Sequence, residues 1–401
     1  MTTAEVAAPL EKLIGDAKVI DVDTHFTEPP DLWTSRAPAA YKDKVPHMKT
    51  VDGQSQWFVE GDNRWLNIGV GVMDREGNKD RGKLSLASLE EMNEAVYKVK
   101  PRVELMDSMG IYAQIMYPNA CGFGALPFLN IKDEDLRIQC VKIYNDACAD
   151  WQRESNNRLF PQAMLPLWDI DETVKEVRRV KEELHLTGVT VTDRTSALDV
   201  PDFSQPHWEP FWELINDYEL PLDFHIGAGL TTLAPMDTLT WPSFSLMQKV
   251  AVFATIAYTD TAPTILNFIH SGIFDRYPKL KIVSVESGCG WIPFAMESAE
   301  WNLNEMTPDA AKKLTRRPTE YFRDHIYATF WFEDQGVKHF VDTIGEDNLL
   351  FLTDYPHPTA LYVGWQERLA RTLTKLEPRA RRRVMQDNAV ELYKLPIQVE
   401  A

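Results

Sequence analysis

The sequence predicts an α/β chain folded as a (β/α)8 barrel with a large insertion after its first strand. Three observations predict it. Short apolar runs alternate with helical patterns from about residue 100 to residue 392, the order expected of a parallel sheet. The 401-residue length suits a barrel of about 250 residues carrying additions. Finally, several of the apolar runs end in Asp, Glu or His, and active sites of this architecture gather at the C-terminal ends of its strands.

The first strand is Val19-Ile20-Asp21-Val22-Asp23-Thr24-His25. Strict alternation puts Asp21, Asp23 and His25 on one face and Ile20, Val22 and Thr24 on the other, the latter packed on helices. Residues 1–16 read as a helical or loose lead-in, and Pro29-Pro30 forces an extended exit from the strand. Residues 34–99 form the insertion, in which Gln56–Val59 and Arg64–Ile68 flank Glu60-Gly61-Asp62-Asn63 as a hairpin. Because it follows a barrel strand, this segment is expected to be a lid over the C-terminal mouth. The chain thus reads as one decorated domain over 1–401, with 17–33 and 100–392 supplying the barrel.

Arg102–Met109 is predicted to be a helix stopped by Gly110, followed by strand two at Ala113–Pro118. A helix over Asp133–Asn156 leads to strand three at Gln162–Trp168, and a helix over Asp171–Leu184 to strand four at Gly188–Thr192. After a Trp208–Tyr218 helix, strand five spans Leu220–His225. Helical sequence from Ser243 to Phe274 breaks at Thr261-Ala262-Pro263, and strand six follows at Leu280–Glu286. The Ser287-Gly288-Cys289-Gly290 turn and the Trp291–Glu305 helix precede strand seven, Ile326–Trp331. A Lys338–Ile344 helix then leads to strand eight, Leu349–Asp354.

Composition bounds the function. With 44% apolar and 25% charged residues the chain has ample material for a core. A net charge of -18 argues against a nucleic-acid partner, which needs clustered Lys and Arg. Cys121, Cys140, Cys148 and Cys289 form no CxxC pair, and no run of about 18 apolar residues occurs. A soluble, cytoplasmic protein without a membrane partner is expected.

The predicted strand ends collect Asp23 and His25, His225, Glu286 and Asp354. In a closed barrel strands one and eight are neighbours and strand five lies across the mouth, so a divalent ion can be gripped from both sides. Spacing of i, i+2 lets Asp23 and His25 reach one ion. Two imidazoles with two carboxylates suit Zn²⁺, Mn²⁺ or Fe²⁺ better than Ca²⁺ or Mg²⁺. His357 follows strand eight and is a candidate for touching substrate, while Trp291 and Trp331 are candidates for walling an aromatic one, with core packing as the alternative. His185, His207, His325 and His339 read as surface or helix-packing residues, His270 as a helix-end residue away from the chemistry, and spacing selects neither Arg64 nor Arg194 as a carboxylate partner.

In order, Ile20–His25, Phe224–Gly227, Ser271–Lys281, Glu286–Trp291 and Leu350–His357 resemble the amidohydrolase superfamily, in its 2-amino-3-carboxymuconate-6-semialdehyde decarboxylase-like branch. The resemblance runs from Val19 to about Leu392. It implies one divalent ion, Zn²⁺ or Mn²⁺, held by Asp23 and His25 in the place of the family's HxH or ExH pair, by His225, and by Asp354, which also handles a proton. One position departs: Glu286 stands where many members carry a histidine, so that histidine's role does not transfer, and Glu286 is a candidate catalytic residue in its own right. The resemblance also implies a small-molecule substrate, an aromatic or unsaturated acid that loses CO₂, and assembly as a homo-oligomer, a dimer or tetramer. Hydrolysis of a C–C, amide, ester or lactone bond by a metal-activated water is the alternative reaction, and a non-catalytic binding protein is the third reading.

Overall fold

The computed structural model of the chain describes residues 9–228 and 236–397. The lead-in expected over residues 1–16 therefore lies outside the described residues as far as residue 8, as does the end of the expected domain beyond residue 397.

Strand β1, Val19–Phe26, is buried along its whole length. A small antiparallel sheet of β2 (His47–Val51), β3 (Gln54–Val59) and β4 (Asn63–Asn67) follows. The other strands are β5 (Ile111–Pro118), β6 (Leu159–Pro161), β7 (Ala163–Met164), β8 (Val189–Val191), β9 (Leu222–His225), β10 (Ile282–Val285), β11 (Ile326–Phe330) and β12 (Leu349–Phe351). All are parallel, in the hydrogen-bonded orders β1-β5-β6 and β12-β11-β10-β9-β8-β7. Only Gln162 separates β6 from β7. At the other seam the exit of β12 bonds back to β1: the Asp354 N–H donates to Asp23 O at 2.9 Å and the His25 N–H to Tyr355 O at 2.7 Å.

Inward and outward residues separate into two apolar clusters. Ile20, Val22, Ala113, Ile115, Tyr117, Val283, Val285, Leu350, Leu352 and Trp331 form one, sealed at its base by Ala389, Val390, Leu392, Tyr393, Leu395 and Ile397. Val19, Phe26, Ile111, Met116, Ala328 and Phe330 belong to the other, shared with the helices. The helix at Glu134–Glu154 starts where Asp133 accepts the Leu136 N–H, and the helix at Ile170–Glu182 where Asp169 accepts that of Glu172. The break expected near Thr261 separates helices at Leu246–Ala257 and Ala262–Ser271.

Two expectations change. Ile20 and Val22 point into the inner cluster, not toward helices, and Asp21 is turned away from Asp23. The cause is a register shift between Asp21 and Thr24: Asp21 pairs with Gln114 and Thr24 with Met116, so Val22 and Asp23 together oppose one residue of β5. Asp21 instead accepts from the Thr353 N–H at 2.8 Å, the Thr353 hydroxyl at 2.5 Å and Gln114 Nε2 at 3.1 Å, which ties the seam between β1 and β12. Strand three also begins earlier, at Leu159, and stops at Met164. There the Asn145 amide takes both Met164 backbone groups at 2.9 Å, and Pro166 has no N–H to continue the ladder.

Residues 34–99 do two different things. The expected hairpin, joined by β2, packs sideways: Trp57 meets Trp33 edge-on at 5.0 Å, Trp65 meets Phe128 at 5.2 Å, and Glu60 accepts the N–H groups of Lys132 and Asp133. The stretch after it reaches the strand exits, with the Val72 N–H on Pro356 O at 3.1 Å and the Val70 N–H on Asn119 Oδ1 at 2.9 Å.

Asn145→Ala should lower the unfolding free energy by about 3 kcal/mol, since it strips two buried backbone groups of their partners. Urea denaturation measures it; a loss under about 1 kcal/mol would mean that water replaces the amide.

Candidate metal centre

Because the strands are parallel, Asp23 and His25, near the end of β1, lie at the same end of the strands as His225, Glu286 and Asp354. Alternation along β10 would send Glu286 outward after the inward Val285; its left-handed backbone, φ 52°, swings the carboxylate back. Asp354 is left-handed too, at φ 61°. Non-glycine residues adopt that conformation at a cost, and it concentrates at functional sites.

One ligand atom each from Asp23, His25, His225 and Glu286 lie within 4.8 Å of one another, and so do atoms of His25, Glu286, Asp354 and His357. Five of the six are buried, and His357 is nearly so. Both ligand-type imidazoles are oriented by main chain: His25 Nδ1 stands 3.2 Å from Pro118 O and His225 Nδ1 2.7 Å from Ile226 O. Each ring therefore turns Nε2 toward the shared space, the arrangement that metal-binding histidines use. His25 Nε2 is 3.5 Å from Oδ1 of both Asp23 and Asp354, and His225 Nε2 is 3.3 Å from Asp23 Oδ1 and 3.7 Å from Glu286 Oε2. His25 Nε2 and Asp23 Oδ2 have no hydrogen-bond partner although both are buried.

Electrostatics leave a gap of the same kind. Burial pushes the Asp23 carboxyl up to about 7, with His25 working against it. Burial and the charges of Asp354 and Asp23 push Glu286 well above the ordinary range. Asp354 is the exception: burial raises it, but His357 and His25 outweigh burial and hold it below the usual carboxylate range. Burial lowers His25 to about 4 and His225 to about 3, so both rings are neutral near pH 7 and keep a lone pair for a cation. Buried carboxylates, neutral imidazoles and unpartnered ligand atoms converging on one point fit a divalent transition ion.

Of what frames the cluster, the sequence singled out His357 but not Phe123, Thr359 or Glu28. Phe123 stacks on His225 at 3.7 Å, as His357 stacks on His25 at 3.7 Å. His357 Nδ1 is 2.9 Å from Asp354 Oδ1, and Thr359 donates to Asp354 Oδ2 at 2.5 Å. Buried Glu28 accepts the N–H groups of Asn119, Ala120 and Cys121, fixing the loop that carries Phe123. A Cβ at Gly124, at φ 68°, would lie 2.7 Å from Thr192, so the loop that carries Phe123 requires glycine there.

The two tryptophan candidates part company. Trp331 lies in the inner cluster, edge-on to Tyr258 at 5.3 Å. Trp291 donates its Nε1 to Ser287 O at 2.8 Å and packs on the helix-side cluster. Arg64 pairs with Asn67 on the antiparallel sheet, and Arg194 lies among the charges of Asp260 and Asp193. His325 stacks on Phe274, away from the cluster.

Comparison with known proteins shows what the chain is similar to. The chain is 28% identical over 311 residues to γ-resorcylate decarboxylase of a Polaromonas species, covering 73% of this chain and 86% of that enzyme. Its fold superposes on an amidohydrolase from Mycobacterium avium subsp. paratuberculosis with a TM-score of 0.68 at 21% identity, over 94% of this chain and 99% of the other. It also superposes on the dihydroxybenzoic acid decarboxylase of Polaromonas sp. JS666, solved with manganese and 2-nitroresorcinol bound, with a TM-score of 0.60 at 20% identity over 95% and 98% of the two chains. The amidohydrolase family model matches residues 103–395, well over half the length, and the chain belongs to that family.

Proposed function

We propose that this chain is a metal-dependent, non-oxidative decarboxylase of an aromatic carboxylic acid. The observation that carries the reading is the cluster of buried, converging ligand atoms with unpartnered Asp23 Oδ2 and His25 Nε2, in a chain whose curated relatives are named as decarboxylases. We read the fold as one decorated domain over residues 1–401: eight parallel strand segments closed into a (β/α)8 barrel by 17–33 and 100–392, with 34–99 inserted after the first strand. In that reading only the stretch around Val70–Lys79 covers the mouth.

Asp23, His25, His225 and Asp354 are the assigned ligands of one Mn²⁺ or Zn²⁺. When bound, the ion would supply Lewis-acid charge that holds the acid's oxygens. The remaining chemistry belongs to side chains. Loss of CO₂ leaves an electron pair on the ring carbon that must take up one proton. Glu286 is the carboxyl that burial keeps protonated, and Asp354 the one that its imidazoles keep ionised, and oxygens of the two lie within 4.8 Å of each other. The pair stores one proton at the mouth and delivers it to the ring carbon. His357 and Thr359 hold Asp354 in place for that transfer.

No helix among the described residues is long and apolar enough to cross a membrane. We assign homo-oligomeric contact to exposed apolar side chains on the helices beside the strands, led by Phe294 at 74% and Trp301 at 66% exposure. Trp301→Glu should shift the sedimentation coefficient to that of the 46.0 kDa monomer; an unchanged oligomer would move the contact elsewhere, and a monomeric wild type would remove it.

The reaction is tested by CO₂ release from dihydroxybenzoates and related acids, with the chain loaded with Mn²⁺ or Zn²⁺ after chelation. Turnover only with metal, and product carrying one solvent deuteron in D₂O, is expected. Glu286→Gln and Asp354→Asn should each lower kcat by about 10²–10⁴-fold. Hydrolysis product without CO₂, or full activity in Asp354→Asn, would contradict the proposal.

Acidity sets the ion's contribution to stability. In the ion-free chain the raised Asp23 carboxyl favours folding at low pH, a contribution lost as pH rises through about 7, whereas depressed His25 costs stability as pH falls from 6.5 toward about 4. Binding a cation displaces the Asp23 proton, so affinity should tighten by up to about tenfold per pH unit for each proton displaced below pH 7. The difference in Tm between loaded and chelated protein should therefore widen from pH 5.5 to pH 8. A constant difference would show that no ligand proton is displaced.

A further inference from the structure

β11 lies between β10, which leads to Glu286, and β12, which leads to Asp354. Along it Tyr327, Thr329 and Trp331 alternate with Ala328 and Phe330, which face the helices. Trp331 is thus the last inward residue of the strand, one position past its end, in the layer nearest the carboxyl pair. It is 1% exposed, and its indole N–H has no hydrogen-bond partner. A buried donor left unpaired costs about 1–3 kcal/mol, and native structures keep few of them. Its neighbour Tyr258, 5.3 Å away edge-on, feels the same pair: burial and the charges of Glu286 and Asp354 push the Tyr258 phenol up. A buried aromatic pair with one unpartnered donor, beside the groups that move the proton, is the kind of polar point by which a small-molecule site fixes a ligand's orientation.

We propose that the Trp331 Nε1–H donates a hydrogen bond to an oxygen of the aromatic acid, and so sets which face and edge of the ring meet Glu286 and Asp354. The inference rests on the decarboxylase reading and adds a specificity residue to it. The oxygen belongs either to the carboxylate or to a ring hydroxyl beside it, and the two are separable by experiment. A phenylalanine in its place keeps an aromatic ring and removes the donor, and the smaller ring's packing cost is read separately from its melting temperature.

The test uses the zinc-loaded, diamagnetic chain with ¹⁵N-indole tryptophan, in which Trp331→Phe identifies one resonance among the 12 tryptophans. Titration with 2,6-dihydroxybenzoate should move that indole proton downfield. If benzoate moves it equally the acceptor is the carboxylate, and if only the dihydroxy acid does, it is the hydroxyl. Trp331→Phe should lower kcat/KM about tenfold for the acid that shifts the resonance, the loss expected of one hydrogen bond. Binding without a shift, or wild-type kcat/KM in Trp331→Phe, overturns this inference alone. Failure of the metal-loaded wild type to bind either acid overturns the decarboxylase reading and this inference with it.

Discussion

Burying three carboxylates and three imidazoles around one point is the constraint on which the rest of this structure depends. Asp23, Glu286 and Asp354 cannot all be ionised there without a cation, and His25 and His225 cannot take up protons without losing solvation. The surrounding structure keeps these groups together and oriented. Backbone carbonyls of Pro118 and Ile226 set the two rings, Phe123 and His357 lie flat against them, and left-handed residues turn Glu286 and Asp354 inward. Asp21, buried but turned aside, closes the seam beneath the site through Thr353. A second buried carboxylate, Asp223, is satisfied by the hydroxyls of Tyr117 and Tyr393 and ties the C-terminal helix to the strand that carries His225.

Much of this was legible in the sequence because it is periodic. Helix boundaries at Val99–Met109 and Ile292–Glu305, and the strands leading to His225 and Asp354, fall within a few residues of what apolar spacing and turn residues indicate. The ligand-type residues were legible for the same reason: each stands at the end of an apolar run. What alternation cannot reveal is a change in its own phase. The extra residue in β1 reverses which side chains face inward, so the faces of Asp21, Ile20 and Val22 came out inverted while Asp23 and His25 did not. Strand three slipped because Asn145, about 20 positions upstream, ends it through a side-chain bond.

Glu28, Asn119 and Phe123 were illegible for another reason. Their roles arise from loops that meet only after folding: Glu28 leaves β1 and grips the loop after β5, while Asn119 bonds Thr27 and Val70 and lies 3.4 Å from His357 Nε2. The inserted residues show the same limit. Their hairpin is plain in the pattern, yet it packs on Trp33 and Phe128, and the less patterned stretch after it touches the strand exits. The Asp23 and His25 pair also lies outside the residues that the family model matches, so its assignment rests on the geometry.

If these groups share one divalent ion, anomalous diffraction at the manganese edge, from crystals of the chain loaded with Mn²⁺, will show one strong peak about 2.0–2.3 Å from Asp23, His25 Nε2, His225 Nε2 and Asp354. A peak elsewhere, or none in well-ordered crystals of the loaded protein, would contradict it.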